Sequence, residues 1–231
     1  MFILVLSATV QSAAAAGTEH TLVVLGNSLS AGFGLSPGQG WVTLLQRRLA
    51  AEGYGYQVVN ASISGDTTGG GLRRLPRILA QHHPAIVLIE LGGNDGLRGT
   101  PIAEIRRNLS GMIRLAKTSG ARVVLASMLI PPNYGDRYTS EFAAVYTEVA
   151  AAEKIPLAGF LLDGVALDRA LMQADGIHPN EKGQPQLLEN AWPVLKPVLG
   201  AGLKSGLKPG LNPASAPAAF RASHPAAAPG H

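Results

Sequence analysis

The sequence predicts an α/β protein with a parallel sheet of about five strands and helices on both faces. β-branched runs alternate with longer segments of helical character from residue 21 to residue 199. The clearest central strand, residues 85–91, is apolar apart from Glu90, as expected of a strand that is covered on both faces. Strands separated by helices imply right-handed crossovers, so the sheet is expected to be a parallel layer between two helical layers.

The individual elements follow from local composition. Strands are expected at residues 21–25, 57–60, 85–91, 122–127 and 157–160. Helices are expected at residues 41–52, 72–82, 102–118, 141–152 and 185–199. Pro101 suits the first turn of its helix. An internal proline removes a backbone hydrogen bond, so breaks are predicted at Pro76 and at Pro193 or Pro197.

Composition divides the chain into three segments. Residues 1–16 combine a short apolar run with small residues, which predicts a signal peptide and a periplasmic or secreted protein, although no Lys or Arg precedes the run. An N-terminal strand in a cytosolic protein is the alternative. Residues 17–200 are expected to form one domain. Residues 201–231 consist mainly of Pro, Ala, Gly and Ser, which predicts a disordered tail.

Charge and cysteine content exclude several classes of function. The 231-residue chain has no cysteine, so it forms neither disulfides nor thiolate metal sites. Its net charge is +4, but Lys204, Lys208 and Arg221 lie in the tail without any acidic residue. The first 200 residues therefore hold 16 of the 19 basic side chains and all 15 acidic ones. This near balance argues against a nucleic-acid-binding surface.

Three short polar stretches follow apolar runs, at residues 26–30, 92–95 and 175–179. In an α/β protein such positions lie at the carboxyl ends of strands, where ligands bind. Ser28, two residues after a strand, has the placement of a nucleophile, although a helix N-cap is the ordinary role of such a serine. Asp175 precedes His178 by three residues, so its carboxylate can orient the imidazole as a base; a turn aspartate beside a surface histidine is the alternative.

Two further residues are candidates for stabilising a developing oxyanion. The Asn94 amide follows the most apolar strand and two glycines, and Gly65 can offer a backbone N–H. Ordinary turn residues are the alternative interpretation of both. The three stretches in this order are difficult to explain by chance, and together they indicate a serine esterase.

These stretches resemble the conserved blocks of the SGNH (GDSL) hydrolases. The blocks are Gly-Asn-Ser-Leu-Ser at 26–30, Gly65, Gly-Gly-Asn-Asp at 92–95 and Asp-Gly-Ile-His-Pro at 175–179. Residues 60–67, 90–99 and 132–135 are similar to the periplasmic thioesterase/protease/lysophospholipase branch and to bacterial arylesterases. The resemblance covers roughly residues 21–199 and implies a flavodoxin-like three-layer sandwich without cofactor or metal.

The resemblance also implies a role for each site residue. Ser28 would be the nucleophile, His178 the base and Asp175 its orienting carboxylate. The backbone N–H groups of Ser28 and Gly65 and the Asn94 side chain would form the oxyanion hole. The residues expected to contact substrate are Asn27, Asp95, Gly96, Leu97, Pro132, Asn133 and Tyr134.

One residue departs from the family pattern, since Asn27 stands where the family has aspartate. Asparagine keeps an acceptor oxygen but removes a negative charge beside the nucleophile. The hypothesis is that His178 is therefore less basic than in relatives, because a nearby anion favours the imidazolium.

The expected activity is hydrolysis of short- to medium-chain carboxylic and aryl esters, with thioesters and lysophospholipids as further substrates. The expected partner is thus a small ester or lipid, with no nucleic acid and no stable membrane insertion. Two alternatives are a carbohydrate acetylesterase of the same mechanism and a catalytically weak binding protein.

Overall fold

The computed structural model describes residues 20–200, and strands and helices alternate throughout this range. The strands are β1 (His20–Gly26), β2 (Tyr56–Asn60), β3 (Ile86–Glu90), β4 (Arg122–Ala126) and β5 (Leu157–Ala158). The helices are α1 (Ser28–Ala31), α2 (Trp41–Ala51), α3 (Thr68–His82), α4 (Gly93–Leu97), α5 (Ile102–Thr118), α6 (Asp136–Glu153) and α7 (Gln184–Leu199), with a 3-10 turn at Pro132–Tyr134.

The five strands form one sheet in the order β2-β1-β3-β4-β5, and every neighbouring pair is parallel. This is the flavodoxin-like order, in which the ligand site lies where β1 and β3 are adjacent. Gly26 at the end of β1 pairs with Glu90 at the end of β3. The segments that follow these two strands therefore begin side by side. The predicted α/β fold class is confirmed.

Alternate residues of each strand pack against opposite helical layers. Leu22 and Val24 of β1 belong to a core shared with α2 and α7, whereas Val23 and Leu25 belong to a core shared with α3, α5 and α6. All five residues of β3 are buried. Burial of a large aliphatic side chain contributes roughly 1.5–3 kcal/mol, so β3 anchors both cores of the three-layer sandwich.

The predicted proline breaks are wrong. α3 continues through Pro76, and α7 continues through Pro193 and Pro197. All three prolines lie on exposed positions of their helices, while neighbouring residues such as Leu75 and Leu195 are fully buried. Packing of the buried face holds each helix together despite the missing backbone hydrogen bonds, because most helical stability in proteins comes from such packing.

Several element boundaries also differ from the prediction. α3 starts at Thr68 and includes three glycines, because Thr67 caps it through the Gly70 N–H (3.1 Å) and a Cβ at Gly71 would collide with Leu91. α6 begins at Asp136, five residues earlier than expected. β5 ends at Ala158, because its partner β4 ends at Ala126.

The predicted signal peptide (residues 1–16) and tail (residues 201–231) lie outside the described residues. Within residues 20–200, no helix is both long enough and apolar enough to cross a membrane.

Candidate active site

The turn after β1 presents Ser28 at the carboxyl edge of the sheet. Asn27 is the N-cap of α1, and its Oδ1 accepts the Leu29 N–H at 2.9 Å. Ser28 is therefore the first helical residue and not the cap, which removes the ordinary structural explanation for this serine. Its side chain is free to make a different contact.

The Ser28 hydroxyl contacts the imidazole of His178. His178 Nε2 lies 2.8 Å from Ser28 Oγ, and His178 Nδ1 lies 2.7 Å from Asp175 Oδ2. An ionised carboxylate only accepts hydrogen bonds, so Nδ1 carries the proton and Nε2 is the acceptor for the serine. The three side chains thus have the connectivity of a nucleophile, a base and an orienting acid.

A tight turn holds Asp175 in its ionised form. Asp175 Oδ1 accepts the backbone N–H groups of Ile177 (2.9 Å) and His178 (3.0 Å), and Gly176, between Asp175 and Ile177, has a positive φ of 66°. The backbone N–H of His178, followed by its side chain and by the Ile177 N–H, lowers the pKa of Asp175 to about 2. Asp175 is therefore ionised, and able to orient His178, at any pH well above 2.

The three donors predicted to form an oxyanion hole differ in their hydrogen bonding. Within residues 20–200, the N–H groups of Ser28 and Gly65 have no hydrogen-bond acceptor. Asn94 is the second residue of α4, which follows β3, and its Nδ2 donates to the Asp66 carbonyl at 2.9 Å. This bond fixes the amide and leaves its second hydrogen for a ligand. Such an arrangement suits the stabilisation of negative charge on a carbonyl oxygen.

Two arginines hold the segment that carries Gly65. Arg74 pairs with Asp66 (2.8 Å), and its guanidinium also contacts the carbonyl groups of Ala61 and Gly26. Arg98 Nη2 donates to the Gly65 carbonyl at 3.1 Å. The segment between β2 and α3 is thereby tied to the end of β1, from which Ser28 follows.

An apolar cleft of about 570 Å³ opens beside these groups. Ser28, Asn94 and His178 lie on its wall, and the remainder is predominantly aliphatic. The apolar lining comes from Leu29, Leu97, Met128, Leu129, Ile130, Pro131, Pro132, Phe160, Leu162, Ala166, Leu167, Met172 and Ile177. The cleft can take an apolar group whose polar end reaches Ser28.

The substrate contacts predicted from the sequence are only partly placed at this cleft. Asn27, Leu97 and Pro132 line it. Asp95 and Gly96 do not, because both are buried under the site. Asp95 instead accepts hydrogen bonds from the Thr68 N–H (2.8 Å) and hydroxyl (2.6 Å), so its role is to join α4 to α3.

The two other predicted contacts also lie outside the cleft lining. Asn133 is exposed on the 3-10 turn and does not line the cleft, although the neighbouring Pro132 does. The Tyr134 hydroxyl donates to the Leu97 carbonyl at 3.2 Å, so Tyr134 contacts a residue of the lining without belonging to it. As substrate contacts, both residues stay predictions.

Sequence reasoning missed most of the cleft wall. Met128 and Phe160 follow β4 and β5, and Leu162, Leu167 and Met172 lie in the long connection to α7. Their apolar character is the same as that of core residues, so the sequence offers no signal that separates them. Phe33 was also missed, although its ring centroid lies 4.5 Å from that of His178.

Glu90 is a buried carboxyl directly behind the nucleophile turn. Its Oε2 accepts the Asn27 N–H at 3.2 Å and the Ser30 hydroxyl at 2.6 Å. Burial raises the pKa of Glu90 to about 7, although hydrogen bonds from Ser30 and Asn27 oppose the shift. Among residues 20–200, no group of three or more His, Cys, Asp or Glu side chains is arranged to hold a metal ion.

The fold and the site together define a class, that of serine hydrolases built on a flavodoxin-like sheet. Within this class, the chain belongs to the GDSL-like lipase/acylhydrolase family, whose model matches residues 24–185. The resemblance derived from the sequence motifs is thereby confirmed.

Curated relatives cover most of the chain. Esterase TesA of Pseudomonas aeruginosa strain PAO1 is 58% identical over 180 residues, which are 78% of this chain and 90% of that protein. Thioesterase 1/protease 1/lysophospholipase L1 of Escherichia coli K12 is 41% identical over 184 residues, which are 80% of this chain and 87% of that protein.

Solved structures agree with this assignment. The crystal structure of TesA has a TM-score of 0.76 at 57% identity, covering 78% of this chain and 99% of that one. The psychrotrophic esterase EstA from Pseudoalteromonas, in a structure inhibited by monoethylphosphonate, has a TM-score of 0.75 at 41% identity, covering 78% of this chain and 98% of that one.

Proposed function

We propose that the protein is a serine esterase that hydrolyses carboxylic esters through an acyl-enzyme on Ser28. The observation that carries this proposal is the pair of short contacts made by His178, 2.8 Å to Ser28 Oγ and 2.7 Å to Asp175 Oδ2. A serine hydroxyl is a weak nucleophile unless a positioned base removes its proton during attack. His178 is the one base that contacts Ser28 within residues 20–200.

Each step of the reaction uses a group on this chain. Ser28 Oγ attacks the acyl carbonyl and transfers its proton to His178 Nε2. The carbonyl oxygen becomes an oxyanion that accepts from the N–H groups of Ser28 and Gly65 and from Asn94 Nδ2. His178 then protonates the leaving alcohol, and later activates the water that hydrolyses the acyl-enzyme. Asp175 keeps the imidazole oriented and stabilises its protonated form.

The substrate class follows from the cleft and from the relatives. The cleft beside Ser28 is mainly aliphatic, which favours acyl chains of short to medium length and aryl groups. The relatives bear the names esterase, arylesterase and thioesterase/lysophospholipase. We therefore propose carboxylic and aryl esters as the main substrates, with thioesters and lysophospholipids as further ones. The apolar wall disfavours the carbohydrate acetylesterase alternative.

The decisive experiment compares p-nitrophenyl butyrate hydrolysis by the wild type and by Ser28→Ala. Ser119→Ala is the matched control, because Ser119 lies at the end of α5, before the amino end of β4. Circular dichroism verifies that all three proteins are folded. We expect turnover to vanish only in Ser28→Ala. Equal rates for Ser28→Ala and the wild type would overturn the proposal and favour the binding-protein alternative.

We further propose that the enzyme is exported to the periplasm or secreted. The support for this is the apolar run and small-residue stretch of residues 1–16. N-terminal sequencing of protein from the periplasmic fraction tests it, and a mature chain that starts at Met1 would contradict it.

A further inference from the structure

We propose that Glu90 is a positioning residue that fixes the nucleophile turn and thereby sets the rate of acyl transfer to Ser28. This inference rests on the proposed function, since it takes Ser28 as the nucleophile. It concerns a residue that has no contact with the cleft and that no step of the reaction above uses.

The first argument is the geometry of the contacts. Glu90 Oε2 accepts the Asn27 N–H at 3.2 Å and the Ser30 hydroxyl at 2.6 Å. These two donors lie on either side of Ser28 in the chain. One carboxylate oxygen thus holds the residues before and after Ser28 in place. We infer that it thereby fixes the orientation of the Ser28 hydroxyl and of the Ser28 N–H. Hydrogen bonds to an ionised carboxylate are shorter and stronger than neutral ones.

The second argument is the close approach that Gly26 allows. A Cβ on Gly26 would lie 2.6 Å from Glu90 Oε2 and 2.7 Å from the Ser30 Cβ. Any side chain at this position would therefore separate Glu90 from the turn. Gly26 and Glu90 are also paired in register at the ends of β1 and β3. The pairing of β1 with β3 at the centre of the sheet thus places the Glu90 carboxylate against the turn that carries Ser28.

The third argument is energetic. Glu90 is fully buried, and within residues 20–200 its Oε1 has no hydrogen-bond partner. A buried carboxyl with one unsatisfied oxygen destabilises the fold relative to an apolar residue of similar size. If residue 90 only had to pack within the core, leucine would therefore stabilise the fold more than glutamate does. The contacts that offset this cost are those to the Ser28 turn, which points to a role in positioning the nucleophile.

The test compares Glu90→Leu, Glu90→Gln and Ser30→Ala with the wild type. Tyr56→Phe is the matched control, because it removes a buried hydroxyl bonded to the Leu199 carbonyl (3.1 Å) at the amino end of β2. For each protein we measure kcat and KM, the second-order rate of Ser28 phosphorylation by diethyl p-nitrophenyl phosphate, and Tm.

We expect Glu90→Leu to lower kcat and the phosphorylation rate by roughly 100-fold at nearly unchanged KM, as small misplacements of reacting groups do. Glu90→Gln keeps an acceptor oxygen, so its kcat is expected to be at least about tenfold higher than that of Glu90→Leu. The remaining difference from the wild type would reflect the lost charge. Ser30→Ala, which removes one of the two donors and leaves the core intact, is expected to lower kcat about fivefold. Tyr56→Phe is expected to lower Tm without changing kcat.

Wild-type kcat in Glu90→Leu, or in Ser30→Ala if Glu90→Leu does not fold, would overturn the inference. Equal losses in Glu90→Gln and Glu90→Leu would also overturn it, because the acceptor would then be irrelevant. Failure of the proposed function has a different signature, namely wild-type activity in Ser28→Ala.

Discussion

Asp175 contacts His178 twice, once through the imidazole Nδ1 at 2.7 Å and once through the backbone N–H at 3.0 Å. The same carboxylate therefore orients the ring and closes the turn that carries it. Because the backbone and side chain of His178 are fixed by one group, the position of Nε2 opposite Ser28 depends strongly on Asp175.

Asp175→Asn is expected to lower kcat by roughly 10³–10⁴-fold. The amide keeps an acceptor for the turn, but its NH₂ group forces the wrong imidazole tautomer, so Nε2 carries the proton. Ester hydrolysis under saturating substrate measures the effect. Asp163→Asn is the control, since the exposed Asp163 lies outside the site, and it should keep wild-type kcat. A loss below tenfold in Asp175→Asn would contradict the assigned role.

Glu90→Gln is expected to stabilise the fold at high pH. Glu90 has a pKa of about 7 in the folded chain against 4.5 in a free side chain. Because this pKa is raised, the protonated Glu90 carboxyl contributes stability to the folded state. This contribution is fully present below about pH 4.5 and is lost as pH rises through about 7, and it amounts to roughly 3 kcal/mol at most. Glutamine removes this loss.

The measurement is urea unfolding of both proteins at pH 5 and pH 8.5. The difference in unfolding free energy, Glu90→Gln minus wild type, should be larger at pH 8.5. A difference that is independent of pH would show that Glu90 does not titrate in this range. The other titratable groups around this end of β3 are Asp95, Tyr146 and Arg74, and they are unchanged in the variant.

Asn27→Asp is expected to move the acid limb of the kcat/KM profile to higher pH, because an anion beside Ser28 favours the protonated form of His178. The structure adds that the new carboxylate would lie next to buried Glu90, whose Oε2 accepts the Asn27 N–H. Like charges at short range disfavour each other's ionisation, and burial already favours the neutral form of Glu90, so the negative charge is expected on the new carboxylate.

Asn27→Ser is the control for this variant, because serine caps a helix as well as asparagine does and carries no charge. Its acid limb should stay where the wild-type limb is. An unmoved limb in Asn27→Asp would overturn the hypothesis about this departure from the family pattern.

Leu97→Ser is expected to lower kcat/KM for p-nitrophenyl octanoate about tenfold while leaving the acetate ester nearly unchanged. Leu97 lines the cleft and is 39% exposed, so it can contact a longer acyl chain. Leu115 on α5 is 38% exposed and does not line the cleft, so Leu115→Ser is a matched control. Equal loss for both esters, or loss in the control, would contradict an acyl-binding role for Leu97.

The alternation of apolar strands and amphipathic helices was sufficient to predict the fold class. Residues 85–91 read as a strand buried on both faces, and Ile86–Glu90 is the centre of the sheet. Such periodicity can be recognised within a short stretch of sequence. The right-handedness of connections between parallel strands then limits the topologies that the elements can form. The prolines were misjudged because Pro76 and Pro193 remove local hydrogen bonds, whereas long-range packing of Leu75 and Leu195 holds the helices together.

The sequence by itself determined which residue types are available for catalysis, since Ser28, Asn94, Asp175 and His178 stand out by their neighbours. Only the tertiary structure decided which groups meet. The contact of His178 with Ser28 spans 150 residues, and that of Glu90 with Ser30 spans 60. The cleft wall is likewise assembled from side chains that resemble core residues in sequence. A sequence motif shows which side chains are neighbours along the chain. The alignment of parallel strands at one edge of the sheet brings residues that are distant in sequence within hydrogen-bonding distance.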